Sequence, residues 1–463
     1  MLALALPLVI STASWSIMHF VDRMFLLWHS RDAMAAAMPA GLTFFALICF
    51  PLGIATYVNT FVAQYEGAGR RREVGRVVWQ GVWLGMAILP AVAALVWAAP
   101  MVFGSLGHPP RIAVRETLYF QSLAFGAVPG VVAHAFASFF TGRGETRVVM
   151  IVDCGASALN IVLDYFWIFG VAGFPELGIE GAGWATATAH WAKCLVYWRL
   201  VTRRRYVKRY GLITGRRLDW PLLARLLRFG TPNAVHMLME VSAFAAMNLL
   251  VGRLGELPLA ATTLAFNVNN LAWVPMIGLG IAVSTLVGQQ LGRDRPDMAA
   301  RATWTAYIMG SLYMGTMAVL YLGAPNLWLL GHAAGTSPAE FNALRDLTVV
   351  LLRFVAVYCL LDAMNMVFVS ALRGAGDMRF VLLVALVTAT LPVTAAWLGT
   401  EYWGMGLYWV WTCVTVWVTL MGVSYFARFL HGRWRTMRVI EPDVPEPRPE
   451  APEPPVALGA ESF

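Results

Sequence analysis

The sequence predicts an all-α membrane protein of twelve transmembrane helices in two pseudo-symmetric six-helix bundles. Three observations carry this reading. The 463 residues are 59% hydrophobic and only 13% charged, whereas soluble domains are about half apolar and about a quarter charged. Apolar runs long enough to cross a bilayer, about 20 residues each, recur twelve times. The second half of the chain also repeats motifs of the first at a nearly fixed offset.

The runs fall at roughly 2–28, 33–62, 77–103, 114–141, 147–171, 180–202, 222–253, 257–290, 300–331, 343–373, 379–400 and 404–430. Trp28, Trp97, Trp198, Trp328 and Trp403 stand near their ends, as interfacial aromatic belts do. The loops after the even helices, with the segment after the twelfth, hold 25 Lys and Arg against 5 after the odd helices. Positive residues favour the cytoplasmic side, so both termini are expected there. The net charge of +8 is therefore a topology signal, and no nucleic-acid partner is expected.

Residues 1–202 form the first bundle and 222–430 the second. Between them lies a basic cytoplasmic linker, 203–221. Residues 431–463 form a cytoplasmic tail, Pro- and Glu-rich from Glu441 and expected to be disordered. The five cysteines lie inside apolar runs without a CxxC pair, so neither disulfides nor a zinc site are expected. The first run is too long for a signal-peptide core, and Met1 opens directly on apolar sequence.

The repeat is explicit. FVAQYEGAGRRREVGR (61–76) resembles TLVGQQLGRDRPDMAAR (285–301). An offset of 225 superposes Gln64 on Gln289, Gly67 on Gly292, Pro7 on Pro232 and Gly53 on Gly278. GRGETR (142–147) and RGAGDMR (373–379) align at an offset of 232. Six helices per half leave both halves in the same orientation, a parallel repeat about an axis along the membrane normal. Such repeats point to a transporter working by alternating access.

Ionisable residues inside spans are functional candidates. Asp22 lies about six residues before the outer end of helix 1, some 9 Å in. Its neighbour Arg23 points about 100° away on the helix and can snorkel outward. Helix 5 carries Asp153, Ser157, Asn160 and Asp164 at spacings of 4, 3 and 4, on one face. That stripe serves either a hard cation or proton, or an interhelical hydrogen-bond seam; Asp153, near the cytoplasmic end, reads as ordinary. Helix 7 carries His236 and Glu240 one turn apart. Helix 10 carries Tyr358 and Asp362, whose phenol and carboxylate can hydrogen-bond, with Asn365 on the same side. Structural pairing is the alternative for each. His19, His134 and His190 read as structural, Lys193 as snorkelling inward, and Arg353 as a counter-charge. The P-loop, HExxH, GxSxG and CxxC signatures are absent. The chain is therefore read as neither an enzyme nor an ATP-driven pump, with no cofactor.

These motifs together resemble the multidrug and toxic compound extrusion (MATE) family, NorM-like branch, from Leu6 to about Leu430. The pieces are PLVISTASWSIMHFVDRMF, VAQYEGAGR, GRGETR followed by LNIVLDYFWIFG, GIEGAGWAT, PNAVHMLMEVSAF, VGQQLGR and YCLLDAMNMVFVSALRGAGD. The resemblance implies a V-shaped pair of bundles around a central cavity. It implies a monomeric exporter in the bacterial inner membrane, trading cationic amphiphiles for H⁺ or Na⁺. Asp22, Asn160, Asp164 and Thr186 match the family's N-lobe coupling site. Glu240, Tyr358 and Asp362 match its C-lobe site, and Pro7 its helix 1 kink. Candidate Na⁺ ligands are Asp22, Asn160 and Asp164, or Glu240 and Asp362. A lipid-linked or polysaccharide flippase of the same superfamily is the alternative. The acidic character of the deep charges favours cationic cargo.

Overall fold

A computed structural model describes residues 1–329 and 338–442, with side chains described for 1–329 and 342–442. The described residues are helical, without strands, and eleven helical segments among them are long and apolar enough to cross a membrane. The first half comprises α1 (Leu2–His29), α2 (Arg31–Gly67), α3 (Arg71–Ala87), α4 (Leu89–Gly104), α5 (Pro110–Ala124), α6 (Ala127–Gly142), α7 (Thr146–Phe169) and α8 (Ile179–Val201). A short α9 (Arg204–Tyr210) lies in the linker. The second half comprises α10 (Trp220–Arg253), α11 (Glu256–Gly292), α12 (Pro296–Gly323), α13 (Pro325–Leu329), α14 (Pro338–Ala375), α15 (Met378–Tyr402) and α16 (Leu407–His431).

The twelve expected spans are all present, with two refinements. The third is broken into α3 and α4 at Ile88, and the fourth into α5 and α6 at Phe125–Gly126. Pro90 in the first turn of α4 and Pro129 in the first turn of α6 supply no N–H to the preceding turn. The twelfth segment needed for the count is α8. It is 23 residues long, but Glu180, His190 and Lys193 make it less apolar than the rest. The expected end of the ninth span, 330–331, lies outside the described residues. Local signals place several ends. Ser30 caps α2 by accepting from Ala33 N–H, and Asp219 caps α10 by accepting from Leu222 N–H at 3.1 Å. Gly170 ends α7 at φ 66°, where a side chain would be strained.

The halves meet where α1 and α2 pack on α10 and α11. The inter-half hydrogen bonds and closest approaches run from the loops after α2, α6, α11 and α14, at one end of the molecule, inward to Gly53 and Gly278 within α2 and α11. This end also carries the basic linker, and we call it the basic face. The repeat becomes a two-fold-like contact there. A methyl group at Gly67 would sit 2.2 Å from the Gln289 carbonyl, and one at Gly292 would sit 2.1 Å from the Gln64 carbonyl. Gly53 faces Ala234 and Gly278 faces Val9 in the same reciprocal way, each at 2.6 Å. Asn59 donates to Thr285 Oγ1 at 3.0 Å, and Asn233 to the Gly53 carbonyl at 2.7 Å. The glycines are required because helix backbones touch, leaving no room for Cβ.

The linker docks on the first half. Trp83 and Gln80 of α3 donate to the carbonyls of Arg216 and Arg217, at 2.9 and 3.2 Å. Arg143 sits among the rings of Phe139, Tyr206 and Tyr210, 4.4 to 4.8 Å from each centroid. The tail departs from the expected disorder. Residues 431–442 are folded against the protein, anchored by buried Trp434 and Val439 and by the Glu441 carboxylate. Both apolar anchors precede Glu441, where the Pro-rich composition begins. The remainder of that tail, 443–463, lies outside the described residues.

Candidate functional site

In the first half, α1 and α7 run side by side in register. Ser11 Oγ donates to Asp153 Oδ2 at 2.5 Å, and the Ser14 and Ser157 hydroxyls are 3.5 Å apart. Asp22 and Asp164 follow at the same offset, close enough to feel each other's charge. Asp22 is buried while Arg23 is exposed, so successive positions of one helix separate the two charges. The Tyr119 phenol of α5 faces Asp22. Asn160 and Thr186 complete the group. With its amide nitrogen toward Asp164 Oδ2 (3.0 Å) and its oxygen toward Thr186 Oγ1 (3.2 Å), Asn160 is satisfied on both sides. Asp22 Oδ1 and Asp164 Oδ1 are buried without a hydrogen-bond partner in the protein. The four first-half residues singled out from the sequence thus sit together.

The fold adds one group in this half and revises the reading of another. Tyr119 is a lone tyrosine in an apolar run, and nothing in its spacing marks it. Asp153 is not ordinary: it takes Lys193 Nζ at 2.8 Å, Ser11 Oγ and the Tyr197 hydroxyl at 3.1 Å. Lys193 does point inward, onto this carboxylate. Pro7 is buried inside α1, which runs unbroken through it from Leu2 to His29.

The second-half candidates are more loosely arranged. His236 is fully buried, with Nδ1 3.4 Å from Glu240 Oε2 and 3.1 Å from Arg373 Nη2, and Nε2 3.3 Å from the Tyr425 hydroxyl. Glu240 is 41% exposed on its side chain, so it faces open space and not a closed core. Asp362 lies within electrostatic reach of it. Asp362 Oδ1 accepts from Asn365 Nδ2 at 3.4 Å, and the expected bond from Tyr358 is not formed. The Asn365 amide, three residues on, takes its place.

What both clusters offer is oxygen donors and mobile charge. Two buried carboxylates side by side, as Asp22 and Asp164 are, favour a proton or a bound cation, and Asn, Thr and Tyr oxygens suit a hard cation.

The chain is similar to known proteins over most of its length. The MatE family model matches residues 7–166 and 232–398. A protein of Brucella suis, "Probable multidrug resistance protein NorM", is 29% identical over 88% of this chain and 84% of its own. "Multidrug resistance protein NorM" of Burkholderia vietnamiensis is 30% identical over 88% and 86%. Among solved structures, a MATE in complex with MaL6 superposes with a TM-score of 0.86 at 19% identity, covering 94% of this chain and 96% of that one. An outward-facing MATE transporter gives 0.84 at 19% identity, over 94% and 95%. The two matched segments fall one in each half and contain Asp22, Asn160, Asp164, Glu240 and Asp362. The chain belongs to the MatE family of transporters, on its NorM-like branch.

Proposed function

We propose that this protein is a secondary active multidrug exporter of the bacterial inner membrane, taking up H⁺ or Na⁺ in exchange for cationic amphiphilic compounds. The observation that carries the reading is the pair of buried carboxylates, Asp22 and Asp164, each with an oxygen unpartnered in the protein. When ionised they attract cationic cargo or water; when neutralised by a proton or Na⁺ they let the pocket close. A ligand can shift a conformational equilibrium only by binding the two states differently, and a neutralisable carboxylate pair supplies that difference. Glu240 and Asp362 give the second half a parallel set.

The basic face is assigned to the cytoplasm by the Lys and Arg count, with both termini there. The closed seam at that face then corresponds to a state open to the outside, and bending of α1 at or beyond Pro7 is the proposed movement. The acidic pockets favour cations over the anionic headgroups that a flippase of lipid-linked sugars would carry. The test is accumulation of a fluorescent cation in cells lacking their own exporters. Expression of the wild-type protein is expected to lower it, and Asp22→Asn to restore it. Equal accumulation with and without the wild-type protein would contradict the reading.

A further inference from the structure

The segment Arg433–Glu441 crosses the seam between the halves. Its anchors to the second half are Trp434, stacked on Phe429 at 4.8 Å, and Val439, lodged against Gly376. Arg438 adds an ion pair with Asp294 at 3.0 Å. Other contacts reach the first half. Val439 N–H donates to Gln64 Oε1 at 2.8 Å, and the Tyr65 hydroxyl donates to Glu441 Oε2 at 2.9 Å. Arg70 donates to the Glu441 carbonyl at 2.9 Å and also pairs with its carboxylate. Arg225 of α10 pairs with the same carboxylate. One glutamate thus ties α2, the loop after it and α10 together.

Its position gives these contacts a consequence. Gln64 also donates to the Gly374 carbonyl, and its own carbonyl is the surface against which Gly292 packs. The segment therefore grips the same residue that closes the seam. The linker after the first half docks on that half through Trp79, Gln80, Trp83 and Arg143. The tail after the second half bridges both. Separating Gly67 from Gln289 pulls Gln64, Tyr65 and Arg70 away from residues still held on Phe429 and Gly376.

We propose that Arg433–Glu441 is a strap that holds the basic face closed, with Glu441 as its fastening. It sets how often that face opens, and so the rate of a cycle that requires opening. This last step rests on the exporter reading; the strap's hold on the seam does not. The contacts are polar and partly exposed, so they are strong enough to bias the equilibrium and weak enough to release in each turn.

The test follows seam opening directly. Thr285→Cys, placed in the full chain with the five native cysteines replaced, is labelled with a membrane-impermeant maleimide, and labelling is rate-limited by opening. Glu441→Gln is expected to raise the labelling rate roughly fivefold or more, about the worth of a charge-assisted bond. Arg70→Gln, which removes the partner of that carboxylate across the seam, should do the same, and the two together should add little. Termination after Thr436 should match or exceed either, while termination after Pro442 should leave the rate unchanged. Unchanged labelling in Glu441→Gln and in the Thr436 truncation would overturn the strap. Faster labelling without any gradient-driven efflux by the wild-type protein would leave the strap standing and remove the exporter reading.

Discussion

Gln64 and Gln289 make the same contact on opposite sides of the seam. Gln64 Nε2 donates to the Gly374 carbonyl at 2.9 Å, and Gln289 Nε2 to the Gly142 carbonyl at 2.8 Å. The donors are related by the 225-residue offset and the acceptors by the 232-residue offset. Each glutamine thus bonds the end of a helix in the opposite half. Beside them, Gly67 and Gly292 bring the backbones of α2 and α11 into contact.

Gly67→Ala should therefore loosen the closed seam. The added methyl group meets a backbone oxygen at 2.2 Å, which a flexible side chain cannot relieve. Overpacking of this kind costs about 1–3 kcal/mol, all of it in the closed state. Spin labels at Arg72 and Arg295 should report a longer or broader distance distribution, and Gly292→Ala should give the same change. An unaltered distribution in both would show that the glycines do not set the approach.

Asp153 and Lys193 form a partly buried ion pair at 2.8 Å. Removing one partner leaves the other charge uncompensated, at a cost of about 3 kcal/mol. Asp153→Asn or Lys193→Met alone should lower the melting temperature in detergent by several degrees. The double variant should recover much of that loss. Additive losses would mean that the two side chains act independently.

Tyr119→Phe keeps the ring and removes the hydroxyl facing Asp22. A hydrogen bond to a buried charge is worth about 1.5 kcal/mol, so the coupling-ion concentration for half-maximal transport should change roughly tenfold. Maximal rate at saturating ion should change much less. An unchanged half-maximal concentration would place the phenol outside the ion site.

Much of this architecture was legible in the sequence because a membrane restricts the choices. Backbone groups in lipid must be satisfied within helices, so apolar runs mark spans, and the helix 5 stripe from Asp153 to Asp164 had to face inward. What was not legible depends on contacts between distant residues. Tyr119 meets Asp22 only because α5 packs against α2 and α8. Arg373 reaches His236 across 137 positions. The breaks at Ile88 and Gly126 were signalled by Pro90 and Pro129, yet continuous hydropathy hid them. The repeat around Gln64 and Gln289 was visible as similarity. That the two copies would touch each other was not, since similarity carries no distance.

We propose that buried carboxylates couple an ion gradient to export, and the most direct test is efflux of a fluorescent cation from proteoliposomes under an imposed H⁺ gradient, then an imposed Na⁺ gradient. The proteins compared are wild type, Asp22→Asn and Glu240→Gln. One gradient should drive efflux by the wild-type protein, and at least one of the two substitutions should reduce that efflux by tenfold or more. Gradient-driven efflux at the wild-type rate in both variants, or no efflux under either gradient, would contradict it.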